Sequence, residues 1–385
     1  MDMNRRTLLN LGVGGFVFLS ATPLWAAARD TADAGPRYLG VRRLGDGRAE
    51  PYRFAACVAD RNGRVTRDVA LPGRGHGFAL HPDHTHAVAL ARRPGTFATA
   101  FDLDGDAPGL TFHAPEGRHF QGHAVFDPAG RYLFATENDY DNERGCIGVY
   151  DRADGYKRVG ELPSHGIGAH ELILMPGGKT FAIANGGILT HPDMGRAKLN
   201  LDTMAPNLAY VDMASGRLED SVSYPEGRLR KLSIRHLAAF NDGRVVFACQ
   251  DQGQTTDGLT LVGLHRPGSG KIEDLEAPEA TTMSLVGYCG SVAVDPAGTL
   301  AAVSAPRGNR VLFWDTESRK LTSTLPLTDG CGLAPGPKAG TFVLTSGSGA
   351  FMIDDPVGNK PKDPGHTGNA PWDNHLTAVP PARSA

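Results

Sequence analysis

The chain has 385 residues, with 39 basic against 42 acidic side chains and a formal charge of −3. It has no basic run and no stripe of interleaved aromatics, which argues against nucleic acid as a partner. Short apolar runs separated by turn residues at fixed offsets, with few long stretches at the helical period of 3.6, point to an all-β chain.

The first residues read as an address. Asn4-Arg5-Arg6-Thr7-Leu8-Leu9 resembles a twin-arginine signal, an apolar Gly-rich run follows to Trp25, and Ala26-Ala27-Ala28 offers a cleavage site. The alternative is an uncleaved anchor, against which Gly12, Gly14, Gly15 and Pro23 argue because they make a poor spanning helix. The expected organisation is a signal peptide over 1–28 and a single domain over 29–385, located in the periplasm and free of the membrane after cleavage.

Strands are predicted over 38–44, 52–60 and 64–71. A series of inner-strand starts follows, at His76, His123, His170, His236, Gly290, Gly332 and His375, spaced by 47, 47, 66, 54, 42 and 43 residues. That is close to the roughly 40–50 residues of a four-stranded blade. Asp127-Pro128-Ala129-Gly130 and Asp295-Pro296-Ala297-Gly298 supply equivalent turns in two of the repeats, and third strands at 147–151, 208–212, 311–315 and 351–354 end in an acidic residue. The last inner strand, 374–379, leaves no room for three more after it. The N-terminal strands should therefore complete its sheet, giving a seven-bladed β-propeller closed by both chain ends. The irregular stretch 355–372 should replace an outer strand in the preceding blade.

In such a ring, five imidazoles meet at one channel mouth: His76, His123, His170, His236 and His375. Neutral imidazole suits iron, copper, zinc and nickel, and Glu137, Glu171 and Asp139 could add oxygen donors. The five histidines are expected to build a metal or anion site, and the expected cofactor is a transition metal, iron or copper. The alternatives are structural histidines, as in the Gly-His dipeptides of WD-type propellers, and acid–base catalysis. Trp-Asp pairs occur only at Trp314-Asp315 and Trp372-Asp373 rather than once in every blade, which weakens the first alternative. Antiparallel blade geometry puts Arg92-Arg93, 137–144, 185–207, 250–257 and 307–309 on the same face. The longest of these loops carries His191, Asp193, Arg196, Lys198, Asn200 and Asp202 and could lie over the mouth. Candidate ligand-contacting residues are Glu137, Glu171, Arg235, Asn185, His191 and Arg307. Cys289 and Cys331, one residue before consecutive ring positions, are expected either to form a disulfide or to act as thiol ligands. Cys57, Cys146 and Cys249 read as buried apolar residues. His81, His84 and His86 are expected at the solvated far end of the first blade, and the same solvated reading covers His113, His119, His165, His265 and His366.

Gly75-His76-Gly77-Phe78, Gly122-His123-Ala124-Val125-Phe126-Asp127-Pro128, Ala169-His170-Glu171, Asn185-Gly186-Gly187-Ile188, His191-Pro192, Leu199-Asn200-Leu201-Asp202-Thr203-Met204, Ser233-Ile234-Arg235-His236 and Gly287-Tyr288-Cys289-Gly290-Ser291 resemble a family of Tat-exported propellers of unknown function, DUF1513. The resemblance covers essentially 38–379. It implies a periplasmic protein associated with imelysin-type iron-uptake proteins and supplies no established catalytic residues. The leading expectation is an accessory protein of iron or other transition-metal acquisition that binds a metal or metal complex at the histidines. Two other classes stay open. One is a propeller enzyme of lactonase or quinoprotein-like type, with His170 and Glu171 as acid–base groups and Arg235 orienting an anion. The other is an interaction platform for an imelysin-like partner.

Overall fold

The computed structural model describes residues 35–45, 53–195, 197–358 and 370–381; the expected signal segment, Arg196 and His366 lie outside them. Seven antiparallel sheets form the blades of an all-β propeller. Numbered from His76, blade one holds Gly75–Leu80, His86–Ala91, Phe97–Asp102 and Leu110–His113, and blade two runs from Arg118–Phe126 out to Lys157–Pro163. Blades three, four, five and six begin at Ala169–Leu174, Leu232–Ala239, Ser291–Val294 and Gly330–Pro335. Blade six has three strands among the described residues, its last being Phe351–Asp354; of the stretch expected to replace a fourth, 359–369 lie outside the described residues and Trp372 opens the last inner strand. Each inner strand contacts the inner strands of the blades on both sides, all the way round the ring.

Closure follows the expected route. The C-terminal strand Trp372–Val379 is the inner strand of blade seven and pairs with Arg37–Leu44, which pairs in turn with Arg53–Ala59 and then Val65–Leu71. Both described ends of the chain thus share one sheet, which closes the ring.

The apolar residues that alternate along these strands meet between blades rather than in one central core. Leu39, Val41 and Val58 of blade seven pack with Phe78, Ala89 and Phe101 of blade one. Phe134 and Ile147 of blade two meet Phe181, Ile183 and Val211 of blade three. The largest cluster joins blades three, four and five through Tyr210, Phe247 and Trp314. Burying each such side chain contributes about 1.5–3 kcal/mol, so neighbouring blades hold one another in register.

The turns that start second strands are built by aspartates. Asp127 Oδ1 accepts from Tyr132 N at 2.7 Å while Gly130, at φ +71°, closes the loop. Asp295 does more, accepting from Ala297, Thr299 and Leu300 of its own turn and from Gly340 N of blade six at 2.8 Å.

Candidate metal centre

All five histidines lie at or beside irregularities in inner-strand pairing. The register shifts fall between Gly75 and Phe78, Phe120 and Ala124, Ala169 and Glu171, and Ile234 and His236, with a further shift opposite 373–376. A bulge interrupts the alternation of side chains and re-aims one of them. Here it turns each imidazole toward the axis while the rest of the strand still feeds the cores between blades. Gly122 shows how tight the centre is: at φ +110°, a Cβ there would stand 2.2 Å from His76 Cδ2. Gly290 and Gly332 hold the corresponding sequence places in blades five and six, where a Cβ would meet Pro306 in one case and Thr345 in the other.

The rings form a closed circuit. Their centroids are 4.9 Å apart for His76 and His123, 5.2 Å for His123 and His170, and 4.9 Å for His170 and His236. The circuit is completed at 4.6 Å from His236 to His375 and 4.6 Å from His375 to His76. Two triads, His76–His123–His170 and His123–His236–His375, each bring donor atoms within 4.8 Å of one another and could hold a metal ion. All five rings are buried, and burial holds their pKa values down, to about 3 for His123 and His236 and well below the usual histidine range for His76, His170 and His375. Mutual repulsion within the cluster and the nearby guanidiniums of Arg92 and Arg235 act in the same direction. The imidazoles are therefore neutral near pH 7, the state a metal requires.

Hydrogen bonds sort these rings by readiness. Glu171, whose own pKa burial raises, stands behind two of them: His236 Nδ1 donates to its carboxylate at 3.0 Å, and His123 Nδ1 faces it at 3.5 Å. Leu237 N also donates to Glu171, at 3.2 Å. A carboxylate on Nδ1 fixes the tautomer that leaves the Nε2 lone pair for a metal, and His123 Nε2 is buried with no hydrogen-bond partner. His375 Nε2 lies 3.3 Å from His76 Nε2, which matches the separation of ~3.3 Å between two nitrogens bound at ~2.0–2.1 Å to one tetrahedral ion. His170 differs. Arg235 donates to its Nδ1 at 3.3 Å, so the remaining proton sits on Nε2 and neither nitrogen offers a lone pair in this state. Arg235 is itself held by Ser233 Oγ at 3.0 Å, and Ser233 donates to Gly186 O at 2.7 Å.

The other sequence candidates are dispersed. Arg307 lies over the Tyr288 ring at 4.5 Å and lines the cavity beside the histidines, as does Lys198. Glu137 is fully buried within blade two, where Tyr150 Oη donates to it at 2.6 Å and Arg158 at 2.9 Å. Asp139 lies in the same network, paired with Arg118 and Arg144. Asn185 braces the long loop, donating to Ser164 O at 2.8 Å and Asn207 Oδ1 at 2.7 Å. His191 packs against Tyr140 and caps the short helix Pro192–Met194. The long loop is pinned rather than loosely draped: Asn138 donates to Thr190 O, Asn200 to Gly187 O, and Arg230 to Met204 O.

Three expectations need correction. Cys289 and Cys331 are both free and buried. Cys289 packs into the core shared by blades three to five and Cys331 into the core between blades six and seven, so neighbouring inner strands send their thiols in different directions. Burial pushes both thiols up to about 12, which disfavours the thiolate a metal would need. His81 and His86 are buried and stacked at 4.0 Å rather than solvated. Together with Asp83 they make a third group of metal-ligand type, but His81 spends Nε2 on Gly130 O and Nδ1 on Asp83, which makes it a turn clamp. His119 and His265 are likewise buried; His119 Nδ1 donates to Phe120 O, and Tyr210 Oη meets His265 Nδ1 at 2.9 Å. The residue the sequence reading missed is Gln121. It is 1% exposed, lines the cavity beside the ring, and leaves both amide atoms unpartnered. Its only signal was its place two residues before His123.

A family model described as "Protein of unknown function (DUF1513)" matches residues 69–379. No curated protein matches the chain. Among solved structures the chain is similar to a chain of Kuenenia stuttgartiensis hydrazine synthase, with 14% identity, a TM-score of 0.60, and coverage of 79% of this chain and 92% of that one. At that identity the likeness shows the fold alone.

Proposed function

The chain belongs to the DUF1513 family, and from that premise we propose that it binds a transition-metal ion at the axial histidines and serves as an accessory protein of iron or other transition-metal acquisition. The ligands in this reading are His123, His236 and His375, with His76 beside His375 as the fourth. The observation that carries it is the pairing of neutral, buried imidazoles with one carboxylate behind two of them, an arrangement that prepares nitrogen lone pairs. Imidazole donors suit iron, copper, zinc and nickel alike, and iron is favoured here by the resemblance to proteins encoded beside imelysins. The site would work in the periplasm after export through the twin-arginine route, where an imelysin-like protein is the proposed partner.

The experiment is elemental analysis of the protein from its native compartment, beside a His123→Ala/His236→Ala/His375→Ala variant shown by thermal melting to be folded. Near-stoichiometric iron or copper, lost in the variant, is expected. Equal metal content in both, or none in the native protein even after iron and copper are added, overturns the reading.

A further inference from the structure

We infer that Arg235 is a positioning residue that withholds His170 from the metal, and that the long loop beginning at Gly186 holds it in place, so that releasing this lock adds an imidazole to the coordination. The inference rests on the metal-site reading and names the residue that sets how many ligands the site offers. By distance alone His170 qualifies as a ligand. The donor atoms of His76, His123 and His170 lie within 4.8 Å of one another, and His170 lines the same cavity of about 180 Å³ as His76 and His236. Its hydrogen bonding disqualifies it. A guanidinium carries donors only and stays charged, so the contact of 3.3 Å between Arg235 Nη1 and His170 Nδ1 requires a bare Nδ1. The one proton of a neutral imidazole then sits on Nε2, which is buried without a partner among the described residues. Coordination through Nε2 needs that proton moved to Nδ1, where it would meet the Arg235 N–H head on. The bond to Arg235 and coordination by a neutral His170 therefore exclude each other.

The lock is anchored outside the ring. Arg235 Nε donates to Ser233 Oγ at 3.0 Å, and Ser233 Oγ donates to Gly186 O at 2.7 Å. Gly186 opens the loop that runs to Asn207, and its own N donates at 2.9 Å to Gly168 O, two residues before His170. The approach is close enough to demand glycine: a Cβ on residue 186 would stand 2.8 Å from Ser233 Oγ and 3.4 Å from Arg235 Nε. Loop, lock and imidazole thus form one chain of contacts across blades three and four, through which a displaced loop start reaches the ligand set.

The test is a double-mutant cycle. Copper(II) affinity is measured by competition with a chromophoric chelator for the wild type, Arg235→Met, His170→Ala and the double variant, each checked for a native melting transition. Removing a positive charge beside a cation raises affinity whether or not His170 is present; the lock adds a gain that needs His170. Arg235→Met is expected to tighten copper at least tenfold more with His170 present than in the His170→Ala background, and pulsed EPR, which counts bound imidazoles, should find one more in Arg235→Met than in the wild type. Gly186→Ala, which changes no charge, should tighten copper severalfold, and not when combined with His170→Ala. Nitrogen NMR of the metal-free wild type with labelled histidine reads the lock without metal and should place the His170 proton on Nε2. A proton on Nδ1, equal gains in the two backgrounds, or an unchanged imidazole count overturns the proposal and leaves the metal reading standing. Failure of every one of these proteins to take up copper(II) or iron(III) overturns both.

Discussion

At the scale of single residues, Glu171 sets the hydrogen bonding of two imidazoles. It occupies Nδ1 of His236 and faces that of His123, fixing ring orientation, and toward a bound metal it would raise the basicity of both rings. Glu171→Gln keeps the volume and one acceptor but removes the charge, and a loss of about 10–100-fold in copper or iron affinity is expected, read by competition with a chromophoric chelator. Unchanged affinity would mean the carboxylate is no part of the site. The histidines themselves were visible in the sequence because the propeller repeat put them at one offset. Their differing states were not, since Arg235 reaching His170, and Glu171 of blade three reaching His236 of blade four, are contacts between blades.

At the scale of elements, the inner-strand bulge is the device that lets a core strand also carry an imidazole at the axis. Short apolar runs bounded by turn residues predict the strands well, as at Arg310–Asp315 or Phe351–Asp354, but a bulge depends on pairing with a second strand and leaves no local signature in the first. The same blindness to direction explains Cys289 and Cys331, whose equal offsets suggested a bridge although they pack into separate cores. It also explains His81 and His86, which a polar turn seemed to expose. Stability at this scale comes from the joins between blades. Trp314 is fully buried, and its Nε1 donates to Glu276 O at 2.9 Å. Trp314→Ala is expected to cost about 3–5 kcal/mol, measured by denaturant unfolding of the metal-free protein; a change under 1 kcal/mol would mean that this join does not hold the ring.

At the scale of the whole molecule, a ring closed by both chain ends brings residues nearly 300 positions apart to one centre, His375 against His76 and Arg74 against Asp373. Closure was legible because the last inner strand lacked partners after it. The cavity beside the histidines was not, because its lining comes from separate blades. The burial of histidine also sets how the whole fold responds to acid. Away from the ring, burial holds His86 and His119 at about 4. Around His86, His81 and Arg152 act in the same direction as burial, against Asp83 and Asp102. Around His119, Arg93 and His191 act with burial, against the hydrogen bond to Phe120 O. In the unfolded chain both titrate near ~6.5, so between that pH and about 4 the unfolded state binds protons the fold refuses. Their contribution is complete above ~6.5 and is lost as the pH falls. The melting temperature of the metal-free protein should therefore drop steadily between pH 6.5 and 4, and a flat profile would contradict the burial of these rings.

The most direct measurement is a crystal of the protein soaked with copper(II) or iron(III), with an anomalous difference map collected at the metal edge. A single peak on the propeller axis, with nitrogens of His123, His236 and His375 at ~2.0–2.2 Å, is the predicted result. Metal bound only elsewhere, or an axis without a peak in crystals that diffract well and retain the ring, would contradict it.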